Sequence, residues 1–161
     1  FYTSVNVAPA QLADARFRPF LMALVEQHGV APSRIALEIT ERSTTGLSTL
    51  AEPLAELRRL GFRIMVDDFG TGYSNFAYLT ELPLDAIKMD RAFTRAIGAR
   101  SVASQVIQGI TTMAEALQVQ LIVEGIETEE EGEFILALAP TANGQGWLLG
   151  RPVVAAELAQ D

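Results

Sequence analysis

The chain has 161 residues, of which 49% are hydrophobic and 20% are charged, and its formal net charge is −8. This composition predicts one folded domain with a sizeable core and excludes a disordered or fibrous chain. The acidic balance argues against binding to a DNA or RNA duplex, and the absence of cysteine excludes disulfides, thiolate catalysis and zinc–thiolate sites.

Short β-rich segments alternate with longer amphipathic segments along the chain. The predicted strands are Tyr2–Val7, Ile35–Thr40, Phe62–Val66, Ala86–Met89, Gln120–Val123 and Gly146–Leu149. The predicted helices are Gln11–His28, Leu47–Leu60, a short turn at Phe76–Thr80, Val102–Leu117 and Glu129–Leu138. Repeated strand–helix units indicate parallel strands, in either an open doubly wound sheet or a (β/α)8 barrel.

We identify no targeting or membrane-spanning segment in the sequence. The longest uncharged stretch, Phe134 to Gly150, is interrupted by Pro140 and Gly144, so we expect no membrane contact from it. The chain begins with Phe1 rather than Met, and we therefore expect an excised or processed piece of a longer protein.

Polar side chains collect at the C-terminal ends of the predicted strands. Four strands end in a carboxylate or amide side chain, and these residues are Asn6, Glu38, the pair Asp67 and Asp68, and Glu124. Lys88 lies near the end of a fifth strand, and Gln145 precedes the sixth. An open sheet would spread six strands over about 25 Å, whereas a closed or nearly closed barrel brings their ends together. The pattern therefore favours the barrel.

Each acidic candidate has a structural alternative. The pair Asp67–Asp68 can bridge hard cations, or it can serve turn and helix-capping roles. Glu38 is either a ligand or a solvated carboxylate on an edge strand, and Asn6 is either a ligand or a turn former. Glu41, in the loop after its strand, is either a supporting group or a surface charge.

Two further positions are also open to two interpretations. Lys88 could neutralise a phosphoryl oxygen or orient a nucleophilic water, because a lysine inside a strand is costly unless it meets carboxylates or phosphate; the alternative is a lysine that extends to solvent. Glu124 and Glu127 could be a ligand and its support, or simply precede an acidic helix.

Taken together, these side chains predict an acidic pocket whose ligand atoms are all oxygens. Without histidine or cysteine ligands, Mg²⁺ or Mn²⁺ is the expected metal. Two such ions about 3.5–4 Å apart could clamp a phosphodiester and generate hydroxide for in-line attack.

Six ordered motifs cover nearly the whole chain and resemble the EAL family of cyclic-di-GMP phosphodiesterases. They are Val5–Val7, Leu37–Glu41, Asp67–Ser74, Ile87–Asp90, Glu124–Thr128 and Gln145–Pro152. The resemblance implies a modified (β/α)8 barrel that hydrolyses cyclic-di-GMP to linear pGpG with two Mg²⁺ or Mn²⁺ ions.

The resemblance also implies roles for individual residues. Asn6, Glu38 and Asp67 would bind one metal, and Asp67 and Asp68 would bind the second, together with Glu124 either directly or through a water. Lys88 would orient the attacking water. The groups that would support the site or bind substrate are Glu41, Glu127, Gln145, Gly70, Thr71 and Gly72.

The chain departs from the family pattern at its start. The name-giving Glu-Ala-Leu segment, with its metal-binding Glu and a following Arg, is expected upstream of Phe1; Glu115–Leu117 repeats the letters in a helix. We therefore expect residues 1–161 to be a partial EAL domain that lacks the first one or two βα units. Arg42, Asn75 and Phe76 are milder departures.

Three functions remain open from the sequence. The first is a bacterial, cytoplasmic phosphodiesterase domain, of which this fragment is weak or inactive; the others are a non-catalytic cyclic-di-GMP-binding module and a protein-interaction module. Open sheet edges beside Tyr2–Val7 and near Trp147 predict a homo-oligomer. The parent protein is expected to carry an upstream sensor or GGDEF domain.

Overall fold

A computed structural model describes residues 2–41, 49–71, 77–97, 102–154 and 157. Its six strands are β1 (Thr3–Asn6), β2 (Ile35–Thr40), β3 (Arg63–Phe69), β4 (Ala86–Met89), β5 (Gln120–Val123) and β6 (Asn143–Gly144). All neighbouring strands pair in parallel, and their order in space follows their order in the chain. In a doubly wound sheet the spatial order of the strands reverses at one point, whereas here it follows the chain throughout. The predicted barrel class is therefore confirmed, as an α/β fold with a curled six-stranded half-barrel.

Helices connect the strands. They are α1 (Pro9–Leu12), α2 (Phe17–Gln27), α3 (Ala51–Arg59), α4 (Ala77–Glu81), α5 (Arg91–Arg95), α6 (Val102–Leu117) and α7 (Glu129–Leu138). Gly29 and Gly61 follow α2 and α3 with φ of 63° and 101°, conformations that favour glycine over residues with a Cβ. None of the helices in the described part of the chain is long and apolar enough to cross a membrane.

The sheet separates two apolar layers of unequal size. Its outer face, which includes Leu37, Ile39 and Val66, packs against the helices in the main core. A small inner layer of Ala36, Met65, Ala86 and Ile122 fills the floor of the half-barrel. Because successive side chains alternate between faces, residues two positions later on these strands extend the inner face towards its C-terminal end.

Two predicted elements differ from the structure near the N-terminus. The single helix Gln11–His28 is wrong, because the chain leaves α1 after Leu12 and begins α2 only at Phe17. The Asp14 carboxylate accepts a hydrogen bond from the Arg16 backbone N–H at 2.9 Å, and this local bond competes with helix continuation. The predicted starts of the helices at Leu47 and Phe76 lie outside the described residues.

The predicted strand Gly146–Leu149 is also wrong. The ladder hydrogen bonds reach Gln145, after which the backbone N–H groups of Leu149 and Gly150 both donate to the Gly146 carbonyl and form a turn. Gly146 itself lies against the Ile126 backbone, where a Cβ would not fit. In addition, β3 continues to Phe69, past its predicted end at Val66, and the structure contains α5, which was not predicted.

Candidate functional site

One lysine links three strands at the C-terminal end of the inner face. The Lys88 ammonium on β4 lies 3.1 Å from a Glu38 oxygen, 3.0 Å from an Asp67 oxygen and 2.6 Å from a Glu124 oxygen. Only 8% of the Lys88 side chain is exposed, so the alternative of a lysine extending to solvent is wrong. Glu38 does not lie on an edge strand either, since β2 pairs with β1 and β3.

The surroundings shift the proton affinity of this cluster. Burial alone would lower the pKa of Lys88, but hydrogen bonds and charge from Glu124 and Asp67 raise it overall. Burial raises the pKa of Glu124, with the Asp67 and Glu38 charges adding to the effect and Lys88 opposing it. The two rises have different causes: the carboxylates stabilise the charged form of Lys88, whereas burial disfavours the charged form of Glu124.

A backbone irregularity brings Asp68 to the same place as Asp67. Adjacent side chains in a regular strand point to opposite faces. Here the register between β3 and β4 shifts between Val66 and Phe69, and Asp68 takes a φ of 54°, which is rare for a residue with a Cβ. Ligand atoms of Asp67, Asp68 and Glu124 consequently lie within 4.8 Å of one another.

The donor set at this end of the sheet suits a hard divalent cation. Asp67, Asp68 and Glu124 offer only carboxylate oxygens, which Mg²⁺ and Mn²⁺ favour. Asn6 pairs in register with Glu38 and so shares the inner face, although its side chain is exposed on the edge strand β1. The arrangement has the chemistry expected of a metal centre.

Glu41 anchors the loop that follows β3. Its side chain is buried, and it accepts a hydrogen bond of 2.8 Å from the Gly70 backbone N–H, so the surface-charge alternative is wrong. Gly70 has a φ of 93°, and a Cβ there would lie 2.5 Å from the Phe93 ring. The Thr71 hydroxyl donates to the Asp68 carbonyl at 2.9 Å. The remaining loop residue, Gly72, lies outside the described residues.

A cleft of about 420 Å³ opens beside Glu124. Glu127 and Gln145 line it, as do several residues that sequence reasoning did not select, namely Arg91, Arg95, Trp147 and Arg151. Arg95 approaches Glu127 at 3.5 Å, and the Arg151 guanidinium lies 5.2 Å from the Trp147 ring centre. The Asp90 side chain, which accepts a hydrogen bond from the Ala92 N–H, was the available signal for the short helix that carries Arg91 and Arg95.

Comparisons with known proteins agree with the motif order. The family model for the EAL domain matches residues 1–152. The chain is 35% identical over 156 residues to a cyclic di-GMP phosphodiesterase of Pseudomonas aeruginosa, covering 96% of this chain and 26% of that protein. It therefore spans about a quarter of the length of the first curated relatives that it matches.

Solved structures of proteins in complex with cyclic-di-GMP are also similar to this chain. The PaMucR phosphodiesterase in complex with c-di-GMP has a TM-score of 0.89 and 33% identity, covering 98% of this chain and 64% of that one. BlrP1 of Klebsiella pneumoniae, in a manganese/cyclic-di-GMP complex, has a TM-score of 0.85 and 28% identity, covering 94% and 39% of the two chains. The predicted resemblance is confirmed.

Proposed function

Since this chain belongs to the EAL-domain family, we propose that its inner-face cluster is part of a metal-dependent site that binds cyclic-di-GMP and opens it to linear pGpG. The observation that carries the proposal is the close approach of Asp67, Asp68 and Glu124 beside a buried lysine. Metal dependence is a property of the family, and BlrP1 was solved with manganese. We propose Mg²⁺ or Mn²⁺ as the metal at this site.

The ligands divide between two metal sites. Asn6 and Glu38 would hold one ion, Asp68 and Glu124 would hold the other, and Asp67 would contribute to both. When bound, the ions supply charge stabilisation at the phosphoryl group and a water of lowered pKa. The strained backbone at Asp68 supports a functional role, because a positive φ costs about 1–2 kcal/mol and yet brings this carboxylate into the cluster.

Lys88 is the residue proposed to act on the reacting water or on a phosphoryl oxygen. In hydrolysis, a bond forms between the water oxygen and phosphorus, the bond from phosphorus to a 3′ oxygen breaks, and the proton ends on that 3′ oxygen. The Lys88 nitrogen lies 2.6–3.1 Å from oxygens of Glu38, Asp67 and Glu124, so the lysine is held among the carboxylates. When metal ions take up these oxygens, an ammonium N–H would be available to a water or a phosphoryl oxygen.

The arginine-lined cleft beside Glu124 suits the rest of a dianionic dinucleotide. Arg91 and Arg95 place positive charge there in a protein whose net charge is −8, which favours a phosphate group. Trp147 is 59% exposed and can stack on a purine. Glu127 and Gln145 are proposed to support binding along the same cleft.

The proposal is tested by Mn²⁺-dependent binding of cyclic-di-GMP, followed by calorimetry, with chromatography for pGpG. We expect binding by the 161-residue chain and its loss in Asp67→Asn, because that change removes a charge from the centre of the cluster. Asp14→Asn, at an exposed carboxylate paired with Arg16, is the matched control. Absence of Mn²⁺-dependent binding in the unmodified chain, or its retention in Asp67→Asn, refutes the proposal.

The proposal also covers the oligomeric state of the chain and the domains of its parent protein. The edge strand β1 carries Val5 at 47% exposure and the turn after β6 carries Leu149 at 61% exposure, and these exposed apolar side chains favour a homo-oligomer. An upstream sensor or GGDEF domain in a cytoplasmic parent protein is consistent with the much greater length of the relatives. Sedimentation of the chain at micromolar concentration tests the oligomer.

A further inference from the structure

The short helix α5 contacts both sides of the acidic cluster. On one side the Phe93 ring fills the space beside Gly70, two residues after Asp68. On the other side Thr94 reaches the backbone of Glu124. Phe93 and Thr94, neighbours on this five-residue helix, therefore contact the two chain segments that carry the proposed metal-binding carboxylates, although these segments are more than fifty positions apart in sequence.

Thr94 makes a specific bond rather than a general packing contact. It is fully buried, and its hydroxyl lies 2.8 Å from the Glu124 carbonyl oxygen and 2.8 Å from the Arg91 carbonyl oxygen. The strand β5 ends at Val123, so Glu124 has left the regular ladder. Its N–H still donates to the Met89 carbonyl at 3.1 Å, while its carbonyl faces the threonine hydroxyl.

The next residue makes this connection rigid. Gly125 has a φ of 72°, and a Cβ there would collide with the Arg91 side chain and lie 3.1 Å from the Thr94 hydroxyl. The backbone turn after Glu124 is thus pressed against α5 without an intervening side chain. A shift of the Glu124 carbonyl would move this turn and the side chain of the same residue together.

We propose that Thr94 is a positioning residue, whose hydroxyl holds the Glu124 backbone so that the carboxylate meets Asp67 and Asp68 at metal-binding distance. The inference rests on the proposed function, because it concerns the metal affinity of that site. Groups that orient metal ligands typically contribute 10–100-fold to metal affinity or activity. Since Thr94 acts through the backbone, we expect an effect of about tenfold, at the lower end of that range.

The test measures the dissociation constant for Mn²⁺ without nucleotide, by electron paramagnetic resonance, together with unfolding in urea. Thr94→Val keeps the shape and removes the hydroxyl, so we expect Mn²⁺ binding about tenfold weaker; Thr94→Ser restores the hydroxyl and should bind Mn²⁺ normally. The matched control is Thr111→Val, at a buried threonine whose hydroxyl donates at 2.9 Å to Ile107 within α6. The control should lose stability but keep its Mn²⁺ affinity.

The outcomes separate this inference from the proposed function. If the unmodified chain binds Mn²⁺ and Thr94→Val binds it as tightly as Thr111→Val does, the positioning role is overturned while the metal site stands. If the unmodified chain binds no Mn²⁺, the proposed function fails and the inference fails with it. Should Thr94→Val not fold, Thr94→Ala removes the same hydroxyl without adding a methyl group, and unchanged affinity there overturns the role.

Discussion

Replacing Lys88 by methionine tests whether one cation holds the carboxylate cluster together. The substitution keeps an unbranched apolar stem but removes the charged group at its end, leaving Glu38, Asp67 and Glu124 without the ammonium that now lies 2.6–3.1 Å from each. Removing one partner of a buried ion pair typically costs about 3–5 kcal/mol, because the other charge stays buried. Lys88 is only 8% exposed, so solvent screening does not reduce this figure appreciably.

For a chain of this size each kcal/mol lowers the melting temperature by about 2–4 °C, which predicts a fall of about 6–20 °C in metal-free buffer. A divalent cation should offset much of the loss, because it supplies the missing positive charge to the same oxygens. At a concentration of 100 times the dissociation constant, a ligand adds about 2.7 kcal/mol to the stability of the protein that binds it. Addition of Mg²⁺ or Mn²⁺ should therefore raise the melting temperature of Lys88→Met more than that of the unmodified chain.

The assay is thermal unfolding followed by circular dichroism, with and without metal. Arg58→Met is the control, because the Arg58–Asp85 pair at 2.9 Å likewise joins a cationic side chain to a carboxylate, but the arginine side chain is about half exposed. An exposed pair contributes about 0–1 kcal/mol, so the control should lose little. Equal loss in the two variants, or equal stabilisation of Lys88→Met and the unmodified chain by metal, would refute the reasoning.

Substitutions at three further positions, Glu124, Gly70 and Asp68, test the backbone and the protonation of the site. Burial raises the folded-state pKa of Glu124 above its ordinary 4.5, so the stability that this residue contributes is present below pH 4.5 and is lost as pH rises through the raised value. Glu124→Gln should remove this pH dependence from urea unfolding in metal-free buffer. An unchanged pH profile would contradict the raised pKa of Glu124. Mn²⁺ should bind more tightly to the unmodified chain across the same pH rise, because binding requires the ionised carboxylate. Gly70→Ala should lower the free energy of unfolding by about 1–3 kcal/mol, because its Cβ would meet the Phe93 ring. Gly109→Ala, in a helix with open space around it, should raise the free energy of unfolding by about 0.5–1 kcal/mol. Shifts of the urea midpoint in the same direction for the two variants would argue against the described loop. Asp68→Asn should weaken Mn²⁺ binding with little loss of stability, since asparagine tolerates a positive φ. Asp68→Ala should weaken Mn²⁺ binding and also lower the free energy of unfolding by about 1–2 kcal/mol. Equal urea midpoints for the two variants would contradict the strained conformation.

Much of the fold follows from patterns that are local in sequence. The strands Ile35–Thr40, Ala86–Met89 and Gln120–Val123 have the predicted bounds, as do the helices Val102–Leu117 and Glu129–Leu138. Burial of one face imposes a period of two on a strand and 3.6 on a helix, and both periods are visible without knowing what packs against them. The motif order likewise identified the family and predicted an incomplete (β/α)8 barrel.

The placement of candidate groups on one face could be predicted, but their contacts could not. Alternation within β2 puts Glu38 on the face opposite Leu37, and that assignment needs only the sequence. The roles of Asn6, Glu127 and Gln145 stay predictions. Whether Lys88 meets carboxylates or solvent depends on the register of β4 against β3 and β5, which no local pattern specifies.

Tertiary structure decided the features that depend on two distant segments. The register shift at Asp68 breaks the alternation on which sequence reasoning relied, and it arises from pairing with β4. Helix α5 is too short to show a hydrophobic period, so Thr94 and the arginine cleft were not foreseen. The sequence by itself thus determined which side chains reach the C-terminal end of the sheet, because the alternation of buried and polar residues along each strand is visible in the sequence. The separations between them were decided by the folded chain, since each is set by hydrogen bonds and packing between elements that meet only after folding.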